Sequence, residues 1–177
     1  MLLIPVLAAI ASLTLVLATP ASRRHSVAAR SHLPDSTIEA YLQAHNEVRS
    51  QHNAPALVWN ETLATAALGW ANTCQVKHSD GELLDTPYGE NLVAATGDFP
   101  IASAIRQFTL DEADYDPESP ILSHFTQVVW KATTQLGCAS SHCSGVFEES
   151  LGQASYYVCL YDPPGNVIGQ ALANVQL

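Results

Sequence analysis

Apolar positions follow two different periods along this chain, and the change of period divides it. Ile38, Tyr41, Leu42, His45 and Val48 recur at three- and four-residue intervals, which predicts an amphipathic helix over 36–51. Ser36-Thr37-Ile38-Glu39 reads as its capping box, hydroxyl and carboxylate each satisfying an orphan amide. A second, alanine-rich helix is predicted over 61–74, with Asn60 as N-cap and Leu63, Ala66, Ala67 and Trp70 on one face. Pro100 suits the first turn of a third helix running to about Ala113. The apolar segment from His124 to Lys131 fits one or two further turns. Period two takes over at the back. Ser155 to Tyr161 places Tyr157, Cys159 and Tyr161 on one face of a strand, and Tyr156, Val158 and Leu160 on the other. Thr134 to Ser140 is a weaker strand. Residues 76–98 keep no sustained period and carry Gly81, Pro87, Gly89 and Gly97, so they are expected to form a long, structured loop. Helices in front and strands behind predict an α+β layer fold.

One segment belongs to no fold. Leu2 to Ala18 is an apolar run broken only by Pro5, Ser12 and Thr14, and Val16-Leu17-Ala18 offers small residues for cleavage. That is the pattern of a secretory signal over 1–18, too short and too polar for a membrane span. Residues 19–34 read as a flexible linker or propeptide, in which Arg23-Arg24 is either a processing site or a solvated basic pair. The folded domain is then 35–177, long enough for a single core, given 47% hydrophobic residues.

Charge narrows the partners. The chain has 17 acids and 7 bases, and every acid lies at or after Asp35. Such a surface repels phosphate backbones, which excludes nucleic acid and disfavours anionic membrane, while leaving neutral lipid open. Four cysteines without zinc-ribbon spacing favour two disulfides in an oxidising compartment, and three pairings are possible. Asn60-Glu61-Thr62 is an N-glycosylation sequon, meaningful only in the secretory pathway. A secreted, extracellular location follows.

Four stretches together resemble the CAP superfamily of cysteine-rich secretory, antigen 5 and pathogenesis-related class 1 proteins. They are His45-Asn46-x-x-Arg49 with Pro55-x-Leu57-x-Trp59, then His78-Ser79-x-Gly81 with Tyr88-Gly89-Glu90-Asn91-Leu92, then His124-Phe125-Thr126-Gln127-Val128-Val129-Trp130, and finally Tyr157-Val158-Cys159-x-Tyr161-Asp162-Pro163-x-Gly165-Asn166. The nearest subgroup is the secreted fungal one that binds sterols and fatty acids. The resemblance implies an α-β-α sandwich with a small antiparallel sheet between helical layers. It also implies the pairing Cys74–Cys143 and Cys138–Cys159.

The same resemblance implies a central cleft of two histidines and two acids, carried here by His78, Glu90, His124 and Asp111. Asp111 stands where the family has glutamate, in Phe108-x-x-Asp111-x-x-x-Tyr115, and is one methylene shorter. Three uses compete for this group. His78 and His124 suit a weakly held divalent cation, zinc or magnesium, with Glu90 and Asp111 bound to the ligands or to water. The same side chains suit a satisfied polar cluster. His78, Glu90 and His124 also suit a hydrolase, with Ser123 beside His124, although no Gly-x-Ser-x-Gly elbow is present. No cofactor is required by the other two uses. His45, Asn46 and Arg49 are read as internal hydrogen-bonding groups in preference to a partner surface, His52 and His142 as solvated, and Trp59, Trp70 and Trp130 as core. The reading is a secreted, non-enzymatic protein that binds a sterol or fatty acid, with Leu83, Leu84, Pro87 and Tyr88 available to cover an apolar pocket. A protease, or a protein that engages a host or cell-wall partner, is the alternative.

Overall fold

The computed structural model describes residues 33–177. The expected leader and nearly all of the linker lie outside them. The elements are α1 (Asp35–Gln51), β1 (Val58–Trp59), α2 (Glu61–Ala71), β2 (Gly89–Thr96), α3 (Ile101–Gln107), α4 (His124–Val128), β3 (Gln135–Cys143), β4 (Ala154–Asp162) and α5 (Ala171–Asn174). The sheet order is β1-β3-β4-β2. β4 pairs antiparallel with both β2 and β3, and the two-residue β1 joins β3 in parallel.

Both faces of β4 are covered, and its alternation separates the two halves of the core. Tyr157, Cys159 and Tyr161 pack with Tyr41, Ile105, Phe108, Phe125 and Trp130, from α1, α3, α4 and their ends. Tyr156, Val158 and Leu160 pack on the opposite side with Leu63, Ala67 and Ala71 of α2. This is the α-β-α sandwich. The second layer sits very close to the sheet: a Cβ on Gly137 would lie 2.2 Å from the Ala64 nitrogen, so only glycine admits α2 there. Cys138–Cys159 joins a directly opposed pair of β3 and β4, and Cys74–Cys143 ties the chain just beyond α2 to the end of β3. The longer loop is worth roughly 4 kcal/mol by chain entropy, before native strain is subtracted.

Four local expectations are corrected. The stretch 76–98 is not all loop, because 89–96 forms β2 against β4. α1 begins one residue early, with Pro34 at the N-cap and no side-chain cap, so Ser36 and Glu39 form no capping box. The reciprocal box occurs instead at α4, between Ser123 and Thr126. α2 ends at Ala71 with Asn72 as its cap. α3 stops at Gln107, where the Thr109 hydroxyl donates to the Arg106 carbonyl at 2.9 Å, and a short 3-10 turn follows at Glu112–Asp114. Asp111 therefore lies in a turn, off the third helix.

His52 is a further correction. It is buried, donating through Nδ1 to the Gln176 carbonyl at 2.8 Å and meeting the Phe125 ring edge-on at 5.0 Å. Of the three tryptophans, Trp130 is fully buried while Trp59 and Trp70 are partly buried. His45 and Arg49 are internal, as expected. His45 donates from Nδ1 to the Tyr41 carbonyl, so Nε2 accepts from the Tyr161 hydroxyl at 2.9 Å. Arg49 donates to the carbonyls of Pro55, Val128, Trp130 and Thr133, at 2.7 to 2.9 Å. Asn46 brackets Leu57, accepting from its N–H and donating to its carbonyl. Among the described residues no helix is long and apolar enough to cross a membrane.

Candidate functional site

Glu90 is placed by β2, whose pairing with β4 sets Glu90 opposite Leu160. Its carboxylate is nearly buried, yet it has three donors. His78 Nδ1 reaches Oε1 at 2.6 Å, the Ser79 N–H reaches Oε1 at 3.0 Å, and the Ser79 hydroxyl reaches Oε2 at 2.5 Å. Because the Ser79 proton goes to Glu90, the Tyr88 hydroxyl must donate to Ser79 Oγ, at 2.7 Å, and accept from the Leu83 N–H. The chain of donors runs one way, from loop backbone to carboxylate, and holds the carboxylate in a fixed orientation. His78 gives its Nδ1 proton to this hub, which leaves the Nε2 lone pair for another partner.

The second pair lies across the site. Asp111 accepts from the N–H groups of His124 at 3.2 Å and Phe125 at 3.0 Å, and stands 3.4 Å from His124 Nδ1. The short side chain thus fastens the start of α4. Phe108 stacks on the His124 ring at 5.9 Å. Asn91, next to Glu90 in β2, donates to the His124 carbonyl at 3.1 Å and so links the two pairs.

A cleft of about 300 Å³ opens on the Glu90 side, lined by His78, Ser79, Tyr88, Glu90, Gln127 and Asn166 among others. Gln127 closes its floor, accepting from the Gly165 N–H at 2.9 Å, and a Cβ on Gly89 or Gly165 would strike its side chain. Asn166 bonds Thr126 Oγ1 and the Ser123 carbonyl, joining the floor to α4. His124 and Asp111 are not among the lining residues of this cleft. The four expected residues meet as two acid–histidine contacts, His78 with Glu90 and His124 with Asp111. Among the described residues, the only three His, Cys, Asp or Glu side chains with donor atoms within 4.8 Å of one another are His45, Cys138 and Cys159. Those sulfurs are bonded to each other and both imidazole nitrogens are used, so that group holds no metal.

Sequence reasoning picked out the ends of this network and missed its middle. Ser79, Tyr88, Gln127, Asn91 and Asn166 all stand inside the quoted motifs, but their bonds span 9 to 43 residues and nothing local reveals them.

Residues 42–161 match the model of the cysteine-rich secretory protein family, CAP. The chain belongs to the CAP family. This CAP chain is 38% identical over 156 residues to fruiting body protein SC7 of Schizophyllum commune, which covers 80% of the chain and 72% of SC7. It is 35% identical over 138 residues to pathogenesis-related protein 1 of Arabidopsis thaliana, covering 73% and 78% of the two chains. Among solved structures, NaASP2 with Zn2+ matches with a TM-score of 0.61 at 21% identity, over 77% of this CAP chain and 84% of the other. Venom allergen-like protein 4 of Schistosoma mansoni matches with a TM-score of 0.57 at 20% identity, over 75% and 88%. These two likenesses show the fold.

Proposed function

We propose that this CAP protein is a secreted, non-enzymatic carrier of a neutral lipid, a sterol before a fatty acid. The observation that carries this reading is an apolar groove of about 340 Å³ lined by Pro120, Leu122, Ile168, Gly169, Ala171 and Leu172. Ile168 is 91% exposed and Leu172 is 69% exposed, an apolar surface that covering would take out of water at about 25 cal/mol per Å². No cation lines the groove, so a fatty-acid carboxylate finds no partner there, whereas a sterol needs none. A smaller groove of about 200 Å³ between α1 and α3 sets Ala44, Val48, Ala102 and Ile105 beside Arg106, but also beside Glu47, Gln51 and Thr109, so its one cation faces an acid. Leu83 and Leu84 pack instead against α2 and β4 in the second core layer. The residues that line this groove come from 120–122 and 168–172, and none comes from the 76–98 segment.

The acid–histidine pairs support weak divalent-cation binding as a secondary property. Each imidazole has an acid at Nδ1, the arrangement that presents Nε2 to a metal. A cation there would have two nitrogen ligands at most and water for the rest, and it would supply charge. Hydrolysis is less well supported. Ser79 gives its proton to Glu90, and Ser123 caps α4 by accepting from the Thr126 N–H, so neither hydroxyl is bonded to an imidazole. The test is competition between labelled sterol and labelled fatty acid on the purified domain. Saturable sterol binding that excess fatty acid does not displace supports the sterol reading, and saturable binding of neither overturns it. Zinc titration followed by the histidine ring NMR signals tests the cation separately.

A further inference from the structure

We propose that Asn60 carries an N-linked glycan, attached before the domain closes, and that the modified side chain still caps α2. The proposal rests on the secreted reading above and adds a covalent site to it. Asn60-Glu61-Thr62 is the only Asn-x-Ser/Thr sequence in the chain. Asn72-Thr73-Cys74 has no hydroxyl at its third position, and its cysteine is bonded to Cys143.

The motif lies where β1 gives way to α2, with Asn60 partly exposed and Thr62 exposed. Asn60 Oδ1 accepts from the N–H groups of Thr62 at 2.8 Å and Leu63 at 3.2 Å, so the oxygen is the helix cap. Nδ2 donates to Gln135 Oε1 at 2.6 Å. A primary amide nitrogen has two protons, and that bond uses one, leaving the other for C1 of a sugar. A glycosylated amide keeps its carbonyl oxygen and one N–H, the number that Gln135 takes. The cap and the bond to β3 are therefore both compatible with the modification.

The co-substrate is an oligosaccharide joined through pyrophosphate to a polyprenol. Asn60 Nδ2 forms a bond to C1 of the reducing-end sugar, and the C1–O bond to the pyrophosphate breaks. Nδ2 gives up one proton, and polyprenyl pyrophosphate leaves. In the folded domain Gln135, 75 residues further along the chain, holds Nδ2, while α2 holds Oδ1. Transfer therefore belongs to the chain before β3 closes on β1.

The position also suits a bulky polar group. β1 is the edge of the sheet, and the backbone is extended through Asn60, so Val58 and Asn60 point to the same side. Val58 is 60% exposed, and the first sugar stands beside this apolar side chain. None of residues 58–62 lines the cleft or either groove, so the attachment point is separate from the proposed lipid site.

The experiment expresses the full chain in yeast and measures the intact mass of the protein in the medium before and after endoglycosidase H. The expected result is a mass above that of the processed polypeptide. The enzyme is expected to reduce the excess to one N-acetylglucosamine, which peptide mapping places on Asn60. Thr62→Ser is expected to keep the glycan, and Thr62→Ala and Asn60→Asp to lose it completely. Thr62 is exposed and Asn60→Asp keeps the capping oxygen, so both variants are expected to fold, and the wild-type peptide map stands without them. Secreted protein with the bare polypeptide mass overturns the proposal and leaves the secreted reading standing. Protein retained in the cell with the bare mass overturns both. A sugar mass that persists in Thr62→Ala lies elsewhere and also overturns the proposal.

Discussion

Glu90 holds Ser79 through both carboxylate oxygens, taking its backbone N–H at 3.0 Å and its hydroxyl at 2.5 Å. One residue of β2 thereby fixes the loop that carries His78. Ser79→Ala leaves the nearly buried Glu90 Oε2 without its donor and the half-buried Tyr88 hydroxyl without its acceptor. The expected cost is about 1–3 kcal/mol in urea unfolding. Amide exchange at 78–83 should quicken by more than at α1, because the loop loses its tether while the core does not. Equal quickening everywhere would mean that the network serves global stability only.

Arg49 is a buried cation that donates to four carbonyls around one guanidinium. Burial pulls its pKa down to about 10, still well above neutrality, so the charge persists. The planar fork matches acceptors that arrive from three segments, and an ammonium cannot reproduce that. Arg49→Lys is expected to cost about 3 kcal/mol or more, since several carbonyls lose their donor at once. A loss below about 1 kcal/mol would show that the carbonyls find other partners.

These two networks show what the sequence could and could not reveal. The alternation of Tyr156 to Tyr161 predicts two covered faces, and both exist because every second residue of a strand must enter the same layer. The first helix was equally readable, since its period is local. β2 was not. Gly89–Thr96 is a sheet edge whose inward residue Asn91 is polar and whose conformation is imposed by β4, so no period betrays it. Asp111 and His52 failed for the same reason. One leaves the third helix to serve the amides of α4, and the other is covered by a tail 124 residues away. In the site, the histidines and acids could be named from motifs, but their division into two pairs depends on tertiary distances.

His45 gives stability a pH dependence. Burial lowers its pKa to about 4 from the ordinary 6.5, outweighing the hydrogen bond to the Tyr41 carbonyl, and Arg49 lowers it further. The folded state therefore refuses a proton that the unfolded chain accepts between these values. Above pH 6.5 both states are neutral and nothing is lost. As pH falls through the window to about 4, the native state loses up to roughly 3 kcal/mol relative to the unfolded chain. Urea midpoints measured from pH 7 to 4 should fall more steeply for the native protein than for His45→Gln. Parallel slopes would assign the acid sensitivity to other groups.

The claim that matters most is that the groove at 120–122 and 168–172 takes a neutral sterol. Ile168 is 91% exposed, so Ile168→Asp should leave folding intact while placing a charge where hydrocarbon has to sit. The measurement is titration of a fluorescent sterol into the wild-type domain and into Ile168→Asp, with Tm recorded for both. Wild type is expected to bind saturably and the variant with at least about a tenfold weaker affinity, at unchanged Tm. Equal sterol affinity in the two proteins, or no saturable binding by wild type, would contradict it.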